Sequence, residues 1–155
     1  MIASACTVVA MNTTLAMSEH TDHTDTPAEL PTQLLEGFRS RAGALDQANA
    51  YFEEDLAQLR SFGYLRAAVP AQHGGWGLDL AQLATSQRRL ARYAPATALS
   101  MTMHSYWIGI DNEVERTGDP SLRWIQDAAV AGDVFAAGHA ETGNDIPVLL
   151  STCQA

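Results

Sequence analysis

Near its C-terminal end the chain reads AAGHAETGND, Ala136 to Asp145, which places His139, Glu141 and Asp145 close together around Gly138 and Gly143. A histidine and two carboxylates so close in sequence could ligate a metal or trade a proton. Their spacing does not put them on one face of a helix and matches no known ligand pattern, so no metal is expected there. HTDHTD, His20 to Asp25, repeats the same residue types in a polar tract with no framework to fix ligand geometry, and reads as a solvated tail. QHGGWGLD, Gln72 to Asp79, has glycines at G-G-x-G spacing but no following Lys-Ser/Thr. It is expected to be a structural loop and not a phosphate cradle, with His73 an ordinary loop residue. His104 stands alone in an apolar run. Histidine there serves either as an acid or base near neutral pH or as a core residue with one satisfied nitrogen.

The elements that must position these residues are helical. Pro31 and Thr32 open a helix carrying Leu34, Leu35, Phe38, Ala42 and Leu45 at helical spacing. A second runs from about Asn49 with Phe52, Leu56 and Leu59 on one face, and Gly63 is placed to cap it. Tyr64 to Pro70 reads as extended and apolar. Asp79 caps a third helix, with Leu80, Leu83, Ala84, Gln87, Leu90, Ala91 and Ala94 as its apolar face. Pro95 starts a fourth, apolar on nearly every side from Ala96 to Ile110 and so expected to be buried. Its polar exceptions, Thr97, Ser100, Thr102, His104 and Ser105, are expected to satisfy themselves on backbone carbonyls. Asp119 and Pro120 start a fifth helix, closed by Gly132. Two strand patterns follow, Asp133 to His139 and Ile146 to Thr152, too few to complete a sheet.

Composition sets the outer bounds. The 155 residues suffice for one core, and 46% hydrophobic with 17% charged residues is a globular balance. A net charge of -9 without a basic cluster argues against nucleic acid. Cys6 and Cys153 form neither a C-x-x-C pair nor a disulfide framework, so a cytoplasmic setting is expected. The apolar start lacks a preceding Lys or Arg and is too short and polar to span a bilayer, so neither a signal peptide nor a membrane segment is expected.

The order of these pieces resembles the N-terminal helical region of the acyl-CoA dehydrogenase family. The resemblance is carried by Gly63 to Pro70, the glycine loop Gly74 to Gly77, the Leu- and Ala-rich helix Leu80 to Ala94, the small-residue break and helix Ala94 to Ile110, and the segment Asp119 to His139. It implies an all-α N-terminal bundle over residues 30–132, after a disordered tail over 1–29. One or two strands of an incomplete flavin-binding β-barrel follow over 133–155. It also implies FAD as hydride acceptor, an acyl-CoA substrate and a homo-oligomer. The family's first flavin segment usually reads aromatic-x-x-Thr-Glu-Pro-x-x-Gly-Ser-Asp. Here it begins at Phe135 and ends at Gly143, Asn144 and Asp145, with Gly138, His139 and Ala140 where Thr, Glu and Pro are usual.

The resemblance therefore assigns Phe135, Ala137, Gly138, Gly143 and Asn144 to the cofactor, and Ala98, Leu99, Thr102 and His104 to a substrate cavity. The family's catalytic carboxylate comes from a C-terminal half, so Glu113, Glu115 and Glu141 are not candidates and no catalytic residue is assigned. The altered flavin segment keeps three readings open. The first is part of an α,β-dehydrogenating flavoprotein, inactive alone. The second is a flavin monooxygenase of the same fold, using FAD or FMN. The third is a non-catalytic helical module that binds a partner.

Overall fold

The computed structural model describes residues 8–10 and 29–137 and is all-α apart from one short strand pair. Helix α1 spans Thr32–Ala48 and buries Leu35 and Phe38; Asn49 ends it in the left-handed conformation. Helix α2, Glu53–Phe62, carries Glu53, Glu54 and Asp55 in its first turn and Arg60 in its last, each sign where the helix dipole favours it. Gly63 closes it with φ 85°, the conformation in which glycine avoids the Cβ penalty. Helix α3, Leu80–Ala91, opens on a reciprocal cap. The Asp79 carboxylate accepts from Gln82 N–H, and the Gln82 side chain accepts from Asp79 N–H. Helix α4, Pro95–Arg116, has Pro95 in its first turn, and α5, Trp124–Ala131, ends at Gly132 with φ 96°.

Helix α4 is the central element, in contact with α1, α3, α5 and the strand that follows α5. One apolar cluster joins Leu30, Leu35, Phe38, Leu56, Leu59, Leu65, Leu90 and Met101 across α1 to α4. A second joins Val69, Ile108, Ile125, Ala129 and Phe135 between α4 and α5. Strand β1, Val8–Ala10, pairs antiparallel with β2, Phe135–Ala137, with Val9 opposite Ala136.

Several local expectations change. Tyr64 to Pro70 is not extended: Tyr64–Arg66 is a 3-10 turn, and Tyr64, Leu65, Ala67, Ala68 and Val69 are all buried. A buried strand would have needed a ladder partner, whereas a coiled segment bonds its own backbone. Helix α2 begins at Glu53, beyond Asn49, because the left-handed Asn49 ends α1 and the chain must turn. Helix α5 begins at Trp124, because the Asp119 carboxylate accepts from Ser121 N–H and holds a turn there in place of a helix cap. Helix α4 is not buried on every side: Leu99 is 74% and Tyr106 49% exposed. On α3 the stripe splits, Leu90 being buried while Leu80 is 82% exposed.

The glycine loop shows why its spacing matters. Its backbone folds back onto the 66–70 segment: Trp76 N–H donates to Arg66 O, Gly77 N–H to Val69 O and Leu78 N–H to Ala67 O, at 3.1, 2.8 and 3.0 Å. A Cβ at Gly75 would stand 2.0 Å from the Val69 carbonyl oxygen, so only glycine permits this approach. The loop's N–H groups are spent on its own neighbour. Gly75→Ala is expected to destabilise the chain by about 2–3 kcal/mol or prevent folding, whereas Gly43→Ala, where a Cβ meets nothing within 4 Å, is expected to be neutral or mildly stabilising; urea unfolding of the two variants measures the difference.

Candidate functional site

The inner stripe of α4 alternates in polarity. Thr97, His104 and Asp111 are spaced by seven residues and are 2%, 1% and 0% exposed, with the buried apolar Met101 and Ile108 between them. A seven-residue step returns a side chain close to the same helix face, so these groups line one seam and each needs a partner inside the protein.

Thr97 finds Asp55 on α2. Its hydroxyl donates to Asp55 Oδ2 at 2.9 Å, while Arg41 of α1 donates to Oδ1 through Nε and Nη2, at 2.9 and 2.7 Å. Asp55 is fully buried, so this hydroxyl–carboxylate–guanidinium bridge joins three helices at the start of α4. The carboxylate also lies by the positive end of α4.

His104 finds two backbone groups. Nε2 lies 2.7 Å from Leu65 O in the 3-10 turn, and Phe135 N–H donates to Nδ1 at 3.4 Å. The imidazole also stacks on the Phe135 ring, 5.7 Å between centroids and 7° from parallel, and Trp124 of α5 meets that ring edge-on. Burial holds the His104 pKa below its ordinary 6.5, and the Leu65 carbonyl opposes this only in part. Both nitrogens are occupied, so neither is free to move a substrate proton.

Asp111 is the third. Neither carboxyl oxygen has a partner in hydrogen-bonding geometry, and burial pushes its pKa above 3.8 against the nearby Gln126 N–H groups. Beside it, Glu115 accepts from Gln126 Nε2 at 3.0 Å and Arg123 Nη1 at 3.0 Å, with His73 Nε2 at 3.1 Å. The Gln126 amide is the main cause of a Glu115 pKa below the ordinary carboxylate range. Arg123 also contacts His73 Nδ1, and Asn112 reaches Ala68 O at 2.9 Å. His73 thus belongs to a network tying the glycine loop to α4 and α5 and is more than an ordinary loop residue. Glu113 is paired on the surface with Arg116.

A cavity of about 780 Å³ opens where the end of α1 meets the start of α4 and the strand. Asn49, Tyr51, Phe52, Pro95, Thr97, Ser100, Phe135 and Ala136 are among its walls. The size suits a small organic ligand. Its walls carry no Lys, Arg, His or Cys, and its one carboxylate is Asp46. Thr97 is committed to Asp55, and Ser100 donates to Ala96 O. Among the described residues it can hold an apolar group, and Asp46 and Tyr51 are the titratable side chains on its walls. A separate groove of about 680 Å³ runs between α3 and α4, lined by Leu80, Leu83, Ala84, Thr102, Tyr106 and Ile110 among others.

The four residues assigned to one substrate cavity do not meet in one. Ala98 and His104 are buried in the core, Leu99 faces outward, and Thr102 lines the α3–α4 groove. At about 100° per residue, His104 stands on the far side of the helix from Leu99 and Thr102. Of the residues assigned to the cofactor, Phe135 packs in the core and borders the cavity. Ala137 is the last strand residue, and Gly138, Gly143 and Asn144 lie outside the described residues, as do His139, Glu141 and the second strand pattern. Asp55, Arg41 and Asp111 went unassigned from sequence; the seven-residue recurrence of Thr97, His104 and Asp111 was the available signal. Among the described residues no group of three His, Cys, Asp or Glu could hold a metal, and no helix is long and apolar enough to cross a membrane.

The family described as "Acyl-CoA dehydrogenase, N-terminal domain" matches residues 33–124, from α1 to the first residue of α5. A Bacillus subtilis (strain 168) protein named "Putative acyl-CoA dehydrogenase YdbM" is 30% identical over 114 residues, 72% of this chain and 30% of that protein. The chain thus spans about a third of the length of that curated relative. No solved structure matches the chain.

The Asp55 bridge carries a direct test. Asp55→Ala is expected to cost about 3 kcal/mol, because it strands the Arg41 charge and the Thr97 hydroxyl. Thr97→Val, which removes one neutral donor, is expected to cost about 1 kcal/mol. In a double-mutant cycle the two losses should fall short of additive; strict additivity would show that the groups are not coupled.

Proposed function

This chain belongs to the acyl-CoA dehydrogenase family, and from that premise we propose that it forms the helical layer and the entry strand of a flavin-dependent oxidoreductase that dehydrogenates an acyl thioester between its α and β carbons. The observation that carries the reading is the seating of β2. The segment in the family's flavin position opens at Phe135, and Phe135 is sealed between His104 and Trp124 in the helical core. The next residues leave the helices from a fixed point.

The described residues fit part of a flavin. Ala136 is exposed beside the cavity and can offer backbone and methyl contact. The walls suit a planar ring or an acyl chain, but with Asp46 and no cation they do not suit a diphosphate, so that part of FAD would be held by residues elsewhere. When bound, the flavin supplies the hydride acceptor; the protein's part is to orient it and exclude water. Leu99 and Thr102 of α4 face outward to contact the acyl group, while Ala98 and His104 support them from beneath. Glu113 and Glu115 are held by partners and are not the base.

Two other readings share this scaffold. Gly138 in place of the usual Thr takes a hydroxyl from the flavin segment, which favours altered flavin chemistry such as oxygen insertion with reduced FAD or FMN. The exposed Leu80, Leu99 and Tyr106 favour a role as a docking module; a clean monomer on size exclusion would count against that role.

The 155-residue chain alone is expected to purify colourless and to reduce no dye with acyl-CoA. Substituted for the matching segment of the Bacillus subtilis relative, it is expected to give a yellow protein that reduces the dye when acyl-CoA is added. A folded, yellow chimera inert to acyl-CoA would sink the substrate assignment, and a yellow, active 155-residue chain would sink the division of labour.

A further inference from the structure

We propose that His104 is a positioning residue that fastens the opening strand of the flavin segment to the helical layer, and that it does so only as the neutral imidazole with its proton on Nε2. The fastening stands on the contacts alone; its consequence for a flavin rests on the function proposed above.

The geometry selects the tautomer. Leu65 O is an acceptor, so the nitrogen 2.7 Å away must carry the proton. Phe135 N–H is a donor, so the nitrogen 3.4 Å away must present its lone pair. Only the Nε2–H form meets both. The parallel stacking of the imidazole on Phe135 holds the strand from a second direction. One side chain thus joins α4, the 3-10 turn after α2, and β2.

Protonation undoes one end. A proton on Nδ1 would face Phe135 N–H donor to donor, and would place a charge in a site that is 1% exposed. Apart from the Leu65 carbonyl, no charged group of opposite sign among the described residues is free to offset that charge. On the 3-10 turn, burial raises the Tyr64 pKa and keeps its phenol neutral, and Arg66 carries the same sign; on α5, Asp127 lies by Arg123; on α4, Asp111 is two turns away; and Phe135–Ala137 has no titratable group. Burial lowers the His104 pKa, and the Leu65 carbonyl works against that lowering. Because the folded form resists protonation more than the unfolded form does, stability present above about pH 6.5 is lost as the pH falls toward the lowered value. Acid should therefore release Phe135–Ala137 before the helices.

The experiment is nitrogen-15 NMR of the histidine rings with amide exchange at Phe135, on the 155-residue chain between pH 7.5 and about 5. Support would be the Nε2–H tautomer at neutral pH, persisting well below the range of an exposed histidine, with Phe135 exchange quickening when the ring titrates. His104→Gln keeps an N–H for Leu65 and loses the acceptor; it should speed Phe135 exchange by about three- to ten-fold and leave the Ala67 amide unchanged. His104→Asn puts an amide oxygen near the Nδ1 place and should restore part of the protection. An Nδ1–H tautomer, or Phe135 exchange that follows neither acid nor the Gln variant, would overturn the proposal. Should the variants fail to fold, the wild-type tautomer and titration decide it. A chimera that binds no flavin would refute the functional reading and leave these resonances untouched.

Discussion

Helix α4 buries three polar side chains on its inner face: Thr97 and His104 are paired there, and Asp111 has no partner in hydrogen-bonding geometry. A desolvated hydroxyl, imidazole or carboxyl that pairs with nothing costs on the order of 1–3 kcal/mol, and more when charged. The seam holds three such groups, and each draws a different element onto the helix or stands beside one that does. Thr97 draws α2 and α1 through Asp55 and Arg41. His104 draws the 3-10 turn and β2. Around Asp111, Asn112 and Glu115 draw the 66–70 segment, the glycine loop and α5. The apolar Met101 and Ile108 between them belong to the two separate clusters, so burial drives the assembly and the polar groups set its register.

The glycine loop serves the same arrangement. With Gly75 against Val69, the loop pins the 65–70 segment, whose Leu65 and Ala68 carbonyls receive His104 and Asn112. Those two carbonyls lie three residues apart, and their partners on α4 lie eight apart. The coiled segment bonds its own backbone there, whereas an extended strand would leave its ladder unpaired.

The face left open by this assembly is α4's outer side with the edge of α3, where Leu99, Tyr106 and Leu80 meet solvent. Among the described residues this apolar face is uncovered, and it lies on the same helix that seats β2. The open side and the inner seam belong to one helix, so the residues proposed to meet a substrate and those that carry the strand share a rigid support.

Helices α1 and α3, the cap at Asp79, and the glycine ends of α2 and α5 were legible in the sequence, because periodicity and capping act within a few residues and need no distant partner. The family was legible for a related reason, since the order of short local pieces survives when single residues change. What tertiary structure decided was the use of each polar group on α4. From sequence, Thr97, Ser100, Thr102 and His104 looked alike, and all were expected to bond backbone carbonyls. Ser100 and Thr102 do so within the helix, while Thr97 and His104 reach across to Asp55, Leu65 and Phe135, which lie 42, 39 and 31 residues away in the chain. Whether such a group turns back or reaches out depends on which face its neighbours cover. That is a property of the packed helices, which no local window contains.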